Sequence, residues 1–424
     1  PLLASGIYDC ADPASRRKIH RRVAGITEQP ELKARHLALA ATVADEATLQ
    51  ALDAAADAAR ARGAPAAAAE LVEMAIALGG DKVLRRLRAA EHHFRAGDVG
   101  KAAALIEPVL DGMRPGILRA LALNLLSGVR ILEDDYLGAV ELLQRARGDG
   151  AGNDAVLVST LLSLAFAMGM LGTFAEQVDT ARQAVDIAER LGIPALKSQS
   201  LAMWVHVTTQ YGLGVDEEAL ARAVESEDVD ADIPIPFRAS ATRGLMLAIT
   251  GELTAADEQL SKVAERCWER GAENDLMAVL GYQTMVAIWR GRYDVADRLA
   301  ADLLQRAEQL GGSMVIAYSI CAAAVAYRGR EAEARRLAQA ALEQGSRGTP
   351  PLTVWASATL AFLEVSSCQY EQAVAAAEPL LAVYRQLSGT EILSGWALPD
   401  AVEALIALAR LDEAEPPIEA LERN

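Results

Sequence analysis

A short turn motif recurs along this chain at a nearly constant interval. The motif reads small, charged or polar, aromatic or aliphatic, acidic, any residue, alanine, and clear copies occupy residues 291–296, 329–334, 368–373 and 409–414. Upstream, the same turn begins at Gly63, Gly97, Asp134, Gly172 and Gly251, with a blurred copy near Gly212 or Gly214. The distance from Gly63 to Ala409 is 346 residues (409 − 63) over nine intervals, so the period is about 38. Such a period is typical of stacked helical hairpins.

Each repeat has two unlike halves. The segment before a turn is apolar nearly all round, as in residues 276–282, whereas the segment after it is amphipathic, as in residues 295–304. A helix that is apolar all round must be buried, and an amphipathic helix borders water. The sequence therefore predicts an all-α, right-handed superhelical solenoid of about nine to ten tetratricopeptide-like hairpins, with first helices inside the curve and second helices outside.

Charge and cysteine content limit the classes of partner. The net charge is −17 and the pI is about 4.9, which disfavours direct binding of DNA or RNA because phosphates are bound by Lys and Arg. A basic cluster at residues 16–22 is either a small patch for nucleic acid or membrane, or a solvated helix face. The four cysteines lie far apart and these residues show no signal-peptide pattern, so we expect a cytoplasmic protein. Because the chain begins at Pro1, we expect it to be part of a longer protein.

One stretch has the length of a membrane span. Residues 155–175 carry no charge over 21 positions, which is long enough to cross a bilayer. The stretch runs through the repeat turn at Gly172, however, and weaker uncharged stretches recur at the repeat interval. We therefore interpret it as the buried first helix of a hairpin, and we expect no contact with a membrane.

Catalytic and metal-binding motifs are absent from the sequence. There is no phosphate-binding loop, nucleophile elbow or zinc-binding His-Glu-x-x-His motif. His92 and His93 are adjacent, so on a helix they diverge by roughly 100° and cannot share a metal as i, i+4 residues would. We expect no enzymatic activity, no metal and no cofactor in this chain.

The inner face of the superhelix is where we expect binding. Taking each turn residue as position 15 of a tetratricopeptide unit places positions 2, 5, 9 and 13 of the first helix on the concave side. The selected residues, together with an aromatic cluster in the blurred repeat, are Phe166, Met170, Trp204, His206, Gln210, Tyr211, Arg238, Met285, Trp289, Tyr327, Trp355 and Phe362.

These residues have two open interpretations. An aromatic groove with a few polar groups suits a small apolar metabolite or an amphipathic helix, but each apolar side chain taken individually is more typical of hairpin core. Arg238 needs a partner because it lies on an otherwise apolar helix, and that partner is either a ligand carboxylate or an internal Asp or Glu. The acidic segment 225–236 lacks the spacing of a calcium loop and reads as a solvated loop.

The start of the chain does not follow the period and resembles a known family. Residues 1–8, 15–24, 33–40 and 59–71 resemble the junction between ATPase module and repeat array in large ATP-binding regulators of the LuxR family. These belong to the STAND class and are actinobacterial relatives of the maltose-regulon activator. The resemblance implies a winged-helix remnant at residues 1–42 and a tetratricopeptide-like sensor domain at residues 43–424. It also implies ATP and Mg²⁺ only in an upstream ATPase module.

Two functional hypotheses follow. In the first, the chain is the non-catalytic sensor arm of such a regulator, binding an inducer or peptide, contacting its own ATPase and DNA-binding modules, and able to self-associate. This chain contains neither the phosphate loop nor the helix-turn-helix of that family. In the second, it is a free-standing repeat scaffold that binds a protein segment.

Overall fold

We analysed a computed structural model of the chain. The structure describes Tyr8 and residues 11–43, 45–210, 212–231, 233–310, 313–345, 350–386 and 398–423. All regular elements in these ranges are helical. They form two compact units, which comprise residues 1–114 with 267–274, and residues 115–266 with 275–424.

The helices follow one another with short connections. Those up to residue 110 are α1 (Pro13–Ile26), α2 (Pro30–Ala40), α3 (Glu46–Ala61), α4 (Pro65–Ala75), α5 (Val83–Arg95) and α6 (Val99–Leu110). The next eight are α7 (Ile117–Leu132), α8 (Tyr136–Gly150), α9 (Asp154–Leu171), α10 (Phe174–Leu191), α11 (Pro194–Gln210), α12 (Glu217–Glu225), α13 (Ala239–Ile249) and α14 (Leu253–Glu269). The last eight are α15 (Glu273–Trp289), α16 (Tyr293–Leu310), α17 (Met314–Ala326), α18 (Glu331–Gly345), α19 (Pro350–Ser366), α20 (Tyr370–Gln386), α21 (Leu398–Ala407) and α22 (Leu411–Arg423).

Helices α3 to α22 pair into hairpins, and the predicted helical solenoid is confirmed. Within each hairpin, the turn lies at a copy of the sequence motif. All the predicted turn residues have positive φ, including Gly291 at 67° and the non-glycine residues Asp134, Cys368 and Ala409 at 60°, 56° and 57°. The backbone N–H of Gly291 donates to Ile288 O over 2.9 Å and that of Arg292 to Ala287 O over 2.8 Å. This is the left-handed helix terminus that reverses the chain.

The two halves of a repeat differ as the sequence predicts. In the first helix α17, ten of the 13 residues are buried. In the second helix α16, the buried residues form a single stripe, Ala296, Ala300, Leu303 and Ala307, at the spacing of one helix face. The small side chain of alanine allows neighbouring helices to approach closely, which explains its frequency in both stripes.

Side-chain caps set where several helices begin. The Asp45, Asp98, Asp135 and Asp216 carboxylates accept a hydrogen bond from a backbone N–H in the first turn of α3, α6, α8 and α12, respectively. Each cap satisfies one of the N–H groups that a helix start leaves without an intrahelical partner. In α6, α8 and α12 the capping residue follows a turn motif directly or closely, so the second helix of the hairpin starts at a defined residue.

The start of the chain packs onto the first repeat. Ala34 and Ala38 of α2 belong to the same buried cluster as Leu52 of α3 and Leu71 of α4. The predicted domain boundary at residue 42 stays a prediction. The relation of residues 1–42 to a winged-helix segment stays a prediction.

Helix α9 is the described helix that has the length and composition of a membrane span. Its residues Val158, Leu164 and Ala165 are fully buried, and it packs against α8, α10 and α11. The core helix of a folded repeat array passes the same length test. The contacts of α9 are those of the buried first helix predicted from the sequence.

The second unit also packs against itself across several repeats. The carboxylate of Asp134, in the α7–α8 turn, accepts from the Val315 backbone N–H over 3.4 Å. Leu164 and Ala167 of α9 share a buried cluster with Val315 of α17. Burial raises the pKa of Asp134, although Ser313 and the Val315 N–H partly offset this effect. Contacts between repeats far apart in sequence therefore stabilise this unit.

The left-handed turns predict a stabilising substitution. We expect Ala409→Gly to raise the free energy of unfolding by about 1 kcal/mol, because a side chain in this conformation costs roughly 1–2 kcal/mol and glycine returns part of that through chain entropy. Urea unfolding followed by circular dichroism measures the change. Ala407→Gly, in the last turn of α21, is the matched control and should destabilise the protein. A loss of stability in both variants would contradict the assigned role of the turn.

Candidate functional site

A small pocket lies where the first helices of four consecutive repeats meet. Its volume is about 10 Å³, room for roughly one water molecule. Helices α9, α11, α13 and α15 and the short helical turn Ile235–Phe237 contribute its walls. The lining residues are Phe166, His206, Ile235, Pro236, Thr242, Leu245 and Tyr282.

The pocket residues occupy equivalent positions in successive repeats. Phe166, His206 and Leu245 each precede their turn glycine by six residues (172 − 166, 212 − 206 and 251 − 245). Thr242 and Tyr282 precede theirs by nine (251 − 242 and 291 − 282). We call the positions six residues before a turn the inner row. Because the hairpins stack in register, these positions come together in space.

Two polar groups of the pocket lack a hydrogen-bond partner in the described part of the chain. Among the residues that the structure describes, neither the His206 imidazole nor the Tyr282 hydroxyl forms a hydrogen bond, and both side chains are half-buried. Burial lowers the pKa of His206 to about 4 and raises the pKa of Tyr282 to about 12. Both groups are therefore neutral at pH 7, and each can donate or accept one hydrogen bond.

The blurred repeat forms the wall of this pocket. Phe237 packs edge-on to Phe166 with ring centroids 6.4 Å apart. The Ile235 backbone N–H donates to the Asp275 carboxylate over 3.0 Å, which fixes the turn beside α15. Both Gly212 and Gly214 have positive φ, so the motif appears blurred because two residues share the reversal.

Arg238 organises the acidic loop and does not face the pocket as a free cation. Its guanidinium pairs with Glu227 at 3.3 Å, and the two side chains are only 9% and 1% exposed. It also donates to the carbonyl oxygens of Val229, Ala231 and Ile233. The sequence left two partners for Arg238 open, and the structure shows the internal carboxylate. The Arg238–Glu227 pair holds the acidic loop closed. Binding of a ligand by Arg238 stays a prediction.

Several other predicted residues lie in the helical core. Met285 is 3% exposed and Gln210 is 7% exposed, and Gln210 accepts from Gln177 over 3.4 Å. Met170 packs in the cluster that joins α9 to α17. For Met170 and Met285, packing accounts for the side chain, which is the core interpretation weighed above.

The predicted tryptophans and the C-terminal aromatic residues are half-buried. Trp204 donates to the Asp216 carboxylate over 3.2 Å, and Trp289 ends α15. Trp355 lies on α19. Tyr327 stacks on Phe362 with ring centroids 4.6 Å apart. Tyr211 lies outside the described residues.

The spacing rule missed part of the pocket. Thr242 and Tyr282 were not selected because the rule used positions 2, 5, 9 and 13, and these residues occupy position 6. The signal was present in the sequence, since Tyr282 is an aromatic residue on a first helix, two repeats after the blurred one. Within the described ranges, no group of three or more His, Cys, Asp or Glu side chains is arranged to hold a metal ion.

Comparisons with known proteins place the chain in no family. No family model and no curated protein matches it. Among solved structures, it is similar to a Rap protein crystallised in complex with Competence and Sporulation Factor. The identity is 10%, the TM-score is 0.43, and the match covers 89% of this chain and 100% of the Rap chain. A likeness at this level carries no functional inference, and the LuxR-family resemblance receives no support from it.

The buried ion pair predicts a large loss of stability in one variant. Arg238→Ala should lower the free energy of unfolding by about 3–5 kcal/mol, because Glu227 would be left buried and unpaired. Arg298→Ala, on an exposed site of α16, should stay within about 0.5 kcal/mol of the parent protein. Chemical unfolding measures both. Equal effects would contradict a structural role for Arg238.

His206 predicts a pH dependence of stability. The unfolded chain binds a proton near pH 6.5 and the folded protein only near pH 4, so lowering the pH through this window favours unfolding. The expected loss is up to about 3 kcal/mol. His206 is the only histidine in residues 115–266 and 275–424. The difference in unfolding free energy between the parent protein and His206→Gln should vary between pH 6.5 and 4; a constant difference would show that His206 titrates normally.

Proposed function

We propose that residues 115–266 and 275–424 form an interaction scaffold that binds an extended protein segment along the inner row. The supporting observation is the pocket itself, which joins the first helices of four consecutive repeats and holds about 10 Å³. Pockets for small ligands measure roughly 300–1,000 Å³. A volume of one water molecule suits the tip of one side chain, while the remaining affinity comes from neighbouring repeats.

The chemistry of the pocket favours an uncharged side chain. Phe166, Ile235 and Leu245 supply apolar walls, and His206 and Tyr282 supply neutral hydrogen-bonding groups. A charged group would lose its hydration there without gaining a counter-ion, because Arg238 is engaged by Glu227. We therefore propose that the segment inserts an amide, hydroxyl or small apolar side chain, and that the chain acts without catalysing a reaction.

Selection from a library of random linear peptides tests the scaffold. Peptides enriched on the protein should shift the NMR signal of the His206 ring on binding. Tyr282→Phe removes one hydroxyl group and should weaken the selected peptides by roughly 2- to 10-fold, the range for one hydrogen bond. Tyr318→Phe, at a half-buried site on α17, removes the same atom and should leave affinity unchanged. Failure to enrich any peptide, or equal losses in the two variants, would overturn the proposal.

The finer proposal is that the scaffold belongs to an ATP-dependent LuxR-type regulator and resides in the cytoplasm. Its support is the resemblance of residues 1–80, and the packing of α2 onto the first repeat is compatible with a module that transmits movement into the array. In that setting, a bound segment or inducer would act through different affinities for two states of the regulator. Self-association would accompany one of these states.

Reading the coding sequence on both sides of residues 1–424 tests the regulator proposal. A phosphate-binding loop upstream and a helix-turn-helix downstream would support it. An open reading frame with neither would rule it out and leave the scaffold proposal unaffected.

A further inference from the structure

Two histidines join helices α1 and α2. His20 of α1 and His36 of α2 approach with their Nδ1 atoms 2.9 Å apart, which is a hydrogen-bond distance. The ring centroids are 5.1 Å apart and the ring planes are 25° from parallel. The centroid separation exceeds the N···N distance by about one ring width. The two imidazoles therefore meet edge to edge, and an N–H group of one ring can point at the nitrogen of the other.

Tyr8 extends this contact into a chain of three groups. Its hydroxyl oxygen lies 2.9 Å from His20 Nε2. A neutral imidazole has one N–H donor and one acceptor nitrogen. If the Tyr8 hydroxyl donates to His20 Nε2, then His20 Nδ1–H donates to His36 Nδ1. A proton added to His36 Nδ1 reverses both bonds, because His20 then accepts at Nδ1 and donates from Nε2 to the Tyr8 oxygen. The chain is complete in either state.

A second added proton breaks the contact between the rings. Both Nδ1 atoms then carry a hydrogen, so neither can accept a hydrogen bond from the other. Two cations are also left with nitrogens 2.9 Å apart, where the His20 side chain is only 8% exposed. Like charges at this distance repel strongly when water is largely excluded. Burial and then the charge of His36 accordingly lower the pKa of His20.

The charged groups that the structure describes around the pair add positive charge or already have a partner. The Arg16 guanidinium lies 4.7 Å from the centroid of the Tyr8 ring and donates to the Ala11 carbonyl oxygen. Glu28 is exposed in the connection between α1 and α2, eight residues from each histidine (28 − 20 and 36 − 28). The ion pairs that α2 makes with the end of α3 and with α4 are Glu31–Arg62 and Arg35–Glu70, and the further cations on α1 are Arg17, Lys18, Arg21 and Arg22.

We propose that His20 and His36 form an acid-sensitive clasp, which holds one added proton and opens when a second proton binds, so that α1 separates from α2. The clasp matters for α1 because His20 and Ala24 are the two buried residues among its 14. Loss of the His20 contact therefore removes much of what attaches this helix. The clasp acts independently of the scaffold function proposed for the repeats.

Acid shifts the clasp towards its open state. In the open state each histidine binds a proton near its ordinary pKa of 6.5, whereas the closed pair holds a single added proton. Opening therefore takes up one further proton from solvent. Its equilibrium constant should rise by about 10-fold for each pH unit below 6.5, because the folded contact binds fewer protons than the separated helices.

Hydrogen exchange of the full chain between pH 7 and pH 5 tests the clasp. Peptides from α1 report the opening, and peptides from α3 are the internal reference, each corrected for the intrinsic exchange rate at that pH. Protection of α1 should fall by at least about 10-fold over this range, and protection of α3 should change by less than about 2-fold. NMR of isotope-labelled histidine is the second readout, in which both Nδ1 atoms should become protonated at the pH where α1 loses protection.

His36→Gln separates the effect of the pair from that of burying His20. Glutamine is uncharged and its carbonyl oxygen can accept a hydrogen bond from a protonated His20. The loss of α1 protection between pH 7 and pH 5 should therefore shrink to less than about 3-fold. His206→Gln removes a histidine from α11 and is the matched control, in which the response of α1 should equal that of the parent protein.

Three outcomes would overturn the clasp. They are constant protection of α1 in the parent protein, an equal loss of protection in α1 and α3, and an unchanged response of α1 in His36→Gln. If His36→Gln does not fold, the NMR titration of the parent protein decides, because protonation of both Nδ1 atoms while α1 stays protected contradicts the proposal. Failure of the peptide selection at the pocket would leave the clasp standing, since the two sites share no residue.

Discussion

The structure depends on one left-handed residue in each helical hairpin. At every copy of the motif, a residue with positive φ ends the first helix, and two backbone hydrogen bonds such as Gly291 N to Ile288 O close that end. This reverses the chain within a few residues, and in several repeats an aspartate then caps the next helix. Because the reversal always occurs at the same point of the repeat, the hairpins stack in register. Asp134, Cys368 and Ala409 adopt this conformation in spite of their side chains, so the geometry of the repeat outweighs a local cost of about 1–2 kcal/mol at each.

Registered stacking also determines where a binding surface can form. In three consecutive first helices, the position six residues before the turn faces the pocket, which brings together Phe166, His206 and Leu245 from segments far apart in sequence. In the next first helix the same position is occupied by Met285, which is buried in the core. Burial keeps His206 and Tyr282 neutral, and neither has a hydrogen-bond partner among the residues that the structure describes. Neutral, unpaired polar groups in an apolar setting suit recognition of an uncharged side chain, because a charge would be desolvated without compensation.

The blurred repeat at Gly212 and Gly214 departs from the period, and the loop that follows it contributes to the pocket. Two glycines, Gly212 and Gly214, share the reversal, and the acidic loop that follows is closed by the buried Arg238–Glu227 pair. The loop ends in the turn Ile235–Phe237, whose Phe237 ring packs against Phe166. The loop therefore supplies part of the pocket wall. The sequence had suggested only a solvated connection between repeats. Further along, Tyr327 stacks between Tyr293 and Phe362.

The sequence by itself determined the helical repeat, the residue of each reversal and the contrast between buried first helices and amphipathic second helices. These properties are local, because they depend on residues within one hairpin and on the 3.6-residue helix period. It also narrowed the inner surface to a set that contains Phe166, His206 and Phe362. Only the tertiary structure decided that Met285 and Gln210 are core, that Arg238 is neutralised by Glu227, and that Tyr282 lines the pocket. The reason is that side-chain partners lie on neighbouring hairpins, and the rotation between hairpins selects which of two adjacent inner positions faces the pocket.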